Sequence, residues 1–150
     1  MNAHHDPLAA AEHNAHVWLA AVAEGLGTED RQHAYRSLRA WLHAVRDLLP
    51  LSGAVHLGAQ LPELVRGVYF EDWTPHRRTE RCTAAAFVED FARAAHLPPD
   101  EAVVEMGAVT SVLGERFSPG QLEHALIQLP RPLRSVLHGE PVRPEAAAMH

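Results

Sequence analysis

Gln60-Leu61-Pro62 recurs as Gln128-Leu129-Pro130, 68 positions further along a chain of 150 residues. At the same offset His56 falls on His124 and Arg66 on Arg134. A period this long, seen twice, is not that of a solenoid, which stacks about three or more shorter units. It predicts a helical module present in two copies.

Outward from that pair, Tyr35, Leu38, Leu42, Val45 and Leu49 step by three and four residues, the spacing of one buried helix face. Displaced by 68, the stripe becomes Val103, Met106, Thr110, Leu113 and Phe117, with one polar member. Two central helices are expected, the first over about 29–49. A residue before proline disfavours helical angles, so shorter helices over about 52–61 and 118–129 should each end in Leu-Pro. A fourth helix then opens at the proline, over about 62–69 in the first copy. Asp6-Pro7 has the form of a cap followed by proline, and opens a first helix that is clearest where Trp18, Val22 and Leu26 recur. Thr83 caps a fifth helix carrying Phe87 and Phe91. No strand is expected anywhere.

The fold class is therefore all-α: a tandem duplication of a four-helix module, about eight helices, packed as one compact bundle. The expected organisation is a single domain over 1–150, with repeat 1 at about 14–70, a linker at 71–82, repeat 2 at about 83–138 and a disordered tail at 139–150.

Composition narrows the function classes. The net charge is −6, which argues against a phosphate-backbone surface and hence against nucleic acid as a partner. No run approaches the roughly 20 apolar residues of a membrane helix, and the amino terminus lacks the pattern of a signal peptide. Membrane is excluded as a partner and the cytoplasm is the expected compartment. All 13 basic residues are arginine, so lysine chemistry is excluded, and the pattern suggests a GC-rich bacterial genome. The one cysteine, Cys82, rules out an internal disulfide. Cationic neighbours at His76, Arg77, Arg78 and Arg81 would lower its thiol pKa if they lay close, but an inert linker thiol is the preferred reading.

The ordered set His56-Leu57-Gly58-Ala59-Gln60-Leu61-Pro62, Arg66-Gly67 and Tyr69-Phe70-Glu71-Asp72-Trp73, following the helix that ends at Leu49, resembles the bacterial family called domain of unknown function 2267. The resemblance covers roughly residues 14–138. It implies an all-α duplicated fold and no established activity. The family more often has Tyr-Tyr-Glu-Gly-Trp in the aromatic run. Here Asp72 stands at the glycine, so the turn there is the point of departure.

Candidate site residues fall in two groups. His56 with Gln60 and His124 with Gln128 are each four apart and so share a helix face. They are read as corner polar groups at the Leu-Pro bends, with a small-ligand or metal site between the copies as the alternative. Tyr69, Phe70 and Trp73, with Arg66 beside them, are large side chains at the junction, suited either to internal packing or to a partner. No carboxylate pair, nucleophile setting or phosphate loop is legible, and no cofactor is expected. A zinc site from the twelve histidines lacks any recognised spacing. The expectation is a non-enzymatic protein-interaction or structural module, with a stress response as its setting, an unknown protein as its partner, and a homodimer left open.

Overall fold

A computed structural model of the chain describes residues 6–75 and 82–143. Among them are eight helices and no strand: α1 Pro7–Leu26, α2 Arg31–Leu48, α3 Leu51–Ala59, α4 Glu63–Phe70, α5 Ala84–Ala95, α6 Pro99–Arg116, α7 Gln121–Leu126 and α8 Arg131–Leu137. The fold is a compact helical bundle.

Local chemistry sets the helix ends. The Asp6 carboxylate accepts from the amide of Leu8 ahead of Pro7, Asp30 accepts from Gln32 and His33, and Thr83 accepts from Ala86, so each offsets first-turn donors that lack helical partners. Gly27 closes α1 in the left-handed conformation at φ 70°, where a Cβ is penalised. Pro62 and Pro130 stand immediately before α4 and α8.

α2 and α6 form the centre. They pack against each other, α1 packs on α6 as well as on α2, and α5 packs on α2 as well as on α6. The first helix of each half thus lies across the central helix of the other. α4 covers α1 and α2, α8 covers α5 and α6, and α3 meets α7. One continuous apolar cluster runs through both halves, from Trp18 and Val22 through Leu42 and Val45 to Leu113, Leu126 and Leu137. Burying one such side chain is worth about 1.5–3 kcal/mol.

Two expectations need correction. Tyr35 does not belong to the buried face: it is 41% exposed, whereas Trp41 is fully enclosed. α2 is covered by α1, α4, α5 and α6, so its buried arc is wider than a single stripe and includes Ala34, Ala40 and Trp41. The seventh helix is shorter than 118–129, because Gly120 adopts φ 81° and helical geometry begins only after it. Tyr69 and Phe70 form the last turn of α4. The tail is described as far as Arg143, with Val142 packed against the core.

Candidate functional site

The polar groups best fixed by geometry lie at the α3–α4 corner and where α2 meets the end of α4. Arg66 donates from Nε to the Gly58 carbonyl at 3.2 Å and from Nη2 to the Leu61 carbonyl at 2.9 Å and the Ala59 carbonyl at 3.4 Å. These carbonyls end α3, where helical acceptors run out, so a cation there satisfies them and opposes the helix dipole. Gly58 is required at this bend: a Cβ would meet the Tyr69 and Phe70 rings at 2.6–2.8 Å. Tyr69 is fully buried and its hydroxyl donates to the Ala54 carbonyl at 2.7 Å. Burial pushes its phenol well above the ordinary tyrosine range, so it stays a neutral donor. Phe70 stands edge-on to Tyr69 at 4.9 Å and Trp73 leans on Phe70 at 5.3 Å, the offset geometries that aromatic pairs favour.

On the other side, buried Arg46 donates from Nη1 to the carbonyls of Tyr69 at 2.7 Å and Glu71 at 2.8 Å, and from Nε to Asp47. His43 lies 2.7 Å from the Val68 carbonyl through Nε2. A carbonyl only accepts, so Nε2 carries the proton. Burial lowers the His43 pKa, and the Arg46 and Arg39 charges act in the same direction against the Val68 bond. Arg39 bridges to the exposed Glu71 carboxylate at 2.9 Å and holds its pKa below the usual range. α2 thus holds the end of α4 through one histidine and two arginines. The groove between α2 and α5 beside them, about 150 Å³, is lined by Arg39, His43, Asp47, Asp90, Phe87 and Phe91, among others.

At the α2–α6 seam Glu105 accepts from the Ser37 hydroxyl at 2.8 Å and lies 2.8 Å from His33 Nε2. The serine bonds the carboxylate, not the histidine, so the three do not form a nucleophile and base. Trp41 donates to the Thr110 hydroxyl at 2.9 Å, and that hydroxyl sits against the carbonyls of Met106 and Leu137. The one polar member of the second stripe is therefore the acceptor for a buried indole.

His56 and His124 are both exposed. They flank the α3–α7 seam, because Gln128 lies over Gly53, His124 is one turn before Gln128, and His56 is one turn after Gly53. Neither histidine is joined to the other by a hydrogen bond. Gln60 and Gln128 turn back onto their own helices, donating to the carbonyls of His56 and Ala125 at 3.3 Å. Among the described residues no group of three or more His, Cys, Asp or Glu side chains is arranged to hold a metal ion. Cys82 is half-buried, its Sγ 3.6 Å from the Thr83 carbonyl. His76, Arg77, Arg78 and Arg81 lie outside the described residues, as do His4 and His5.

Sequence reasoning missed Arg46, Arg39 and Glu71 as one unit with His43. The available signal was Arg46 standing between Val45 and Leu49 at the edge of the apolar stripe. A charge there that does not break the helix needs a partner.

An all-helical bundle whose corner arginines, glycine and aromatics form one bracing network is the class of protein this architecture defines. The family model described as an uncharacterized conserved protein (DUF2267) matches residues 15–136, and the chain belongs to that family. No curated protein matches the sequence. Among the described residues no helix is long and apolar enough to cross a membrane.

Proposed function

We propose that the chain is a non-enzymatic protein-interaction module that docks a second copy of itself across the outer side of α3 and α7. One observation carries this reading. Leu51 and Val55 of α3 are 43% and 47% exposed, and Ile127, the residue that closes α7, is 61% exposed; α3 and α7 pack together, with the exposed His56 and His124 alongside. Large aliphatic side chains grouped at the surface mark contact sites more often than isolated ones do.

The choice of a second copy rests on charge and repetition. Residues 48–62 contain no Asp, Glu, Lys or Arg in a chain of net charge −6. The α3 side of the face therefore brings no like-charge repulsion, and α7 adds one carboxylate, Glu123. α2 and α6 occupy the same positions at the 68-residue offset, which supports reading the halves as a tandem duplication. A face made by equivalent helices suits a twofold contact. A bacterium is the source we assign, on the arginine-only basic set, with the cytoplasm as the setting and a stress response as the context to test there.

Light scattering on the purified chain from low to high micromolar concentration tests the reading. The expected result is a monomer–dimer equilibrium that Val55→Glu returns to monomer without lowering the melting temperature. A wild-type chain that stays monomeric throughout would overturn it. The rival site between the halves, a small ligand or metal held by His56 and His124, predicts instead a ligand-dependent melting shift that His56→Ala removes.

A further inference from the structure

Arg66 and Arg134 stand 68 positions apart, at corresponding places in α4 and α8, yet their guanidinium groups are used differently. Arg66 is bonded to three carbonyls at the end of α3. Arg134 has no hydrogen-bond acceptor among the described residues, and its Nε is shielded from solvent. A guanidinium is permanently charged and carries five donors. Shielding that Nε without an acceptor forfeits its hydration, and the residue as a whole is only half-buried, so a ligand would be met by the remaining donors of the guanidinium.

Its neighbours on the helix are basic residues too. Arg131, Arg134 and His138 follow at intervals of three and four, and so share one face of α8. Arg131 is exposed and has no ion pair among the described residues. His138 Nε2 is 3.6 Å from the Glu123 carboxylate, beyond hydrogen-bond length, so that carboxylate flanks the outer end of the stripe without closing it. The corresponding residues of α4 are Glu63, Arg66 and Phe70. The basic stripe is thus particular to the second half, in a chain that is acidic as a whole.

We propose that this face of α8 binds a small phosphate-type oxyanion, free or as the monoester of a small molecule. Arg134 is the inner donor, Arg131 the outer one, and His138 adds a third donor at the rim. Two permanent charges match a dianion better than a monocarboxylate, and the planar fork of each arginine fits a pair of phosphate oxygens. This site goes beyond the docking reading and does not depend on it.

Calorimetric titration of the full chain with inorganic phosphate and with methyl phosphate, in chloride-matched buffer, tests the proposal, with acetate as the parallel arm. Saturable binding of either phosphate, weakened about tenfold or more by Arg131→Gln and by Arg134→Gln, supports it. The tighter of the two phosphates identifies the form. No saturable phosphate binding, or binding unchanged in both variants, overturns it, and acetate binding as tightly as phosphate overturns the dianion assignment. Arg131 is exposed, so its variant decides the matter if Arg134→Gln fails to fold.

Discussion

Thr110 has two jobs that a purely apolar residue of its shape cannot do: it accepts from the indole of Trp41 and sits against the carbonyls of Met106 and Leu137. Thr110→Val keeps the shape and strands the Trp41 donor, so urea unfolding should show a loss of about 1–3 kcal/mol. His43 brings a pH dependence. Its folded pKa lies below the ordinary 6.5, so the unfolded chain takes up a proton that the folded chain resists. Its contribution is present above the unfolded pKa and declines as pH falls through the interval between the unfolded and folded values. Glu71, also lowered, acts the same way below 4.5, weakly because it is exposed. The unfolding midpoint of the wild type should therefore fall more between about pH 7 and pH 5.5 than that of His43→Gln, which keeps a donor for Val68. The sequence made Thr110 visible only as an irregularity in a stripe. Its partner lies 69 positions away, and no local pattern encodes such a pairing.

At the scale of the helix, the corners carry the specificity. The Leu-Pro pairs announce where α3 and α7 must stop, because proline restricts the residue before it, and that was legible. What braces the corner was not. Arg66 reads as a side chain beside the junction aromatics, and its acceptors at the end of α3 appear only when α4 folds back. Asp72 takes the left-handed conformation at φ 57°, so the turn keeps the geometry that a glycine would adopt more easily. His96 does the same at φ 62° at the end of α5, where α1 ends in Gly27. Removing the Cβ relieves strain but loosens the unfolded chain, so His96→Gly should raise stability by no more than about 1 kcal/mol in thermal melts. Arg46→Met keeps the length of the side chain and removes the donors to the Tyr69 and Glu71 carbonyls. A loss of about 2–3 kcal/mol is expected, and a neutral result would mean that water replaces the guanidinium.

Taken whole, the molecule is held by exchange between its halves: α1 lies on α6 and α5 on α2, over a single apolar cluster. The two stripes identified both central helices, yet said nothing of this crossing, because periodicity reports which face is buried and not what buries it. Tyr35 shows the limit, sharing the spacing of Leu42 but left at the surface. Leu42 has no exposed surface, and Leu42→Ala should cost about 2–5 kcal/mol. The candidate polar groups were legible as residues and not as contacts, since His56 and His124 meet the seam only through the packing of α3 on α7.

Interlocked halves cannot open one at a time without uncovering the shared core. The direct test is equilibrium denaturation followed at once by tryptophan emission and by far-ultraviolet circular dichroism. Trp18 and Trp41 are buried in α1 and α2, Trp18 against the Phe117 ring and Trp41 bonded to Thr110, so their emission reports the seam between the halves, whereas the dichroism reports the helices throughout. One transition with coincident midpoints is expected. Separate midpoints, with the emission change preceding or following the loss of helix, would contradict it and show that the seam between the halves opens without the helices melting.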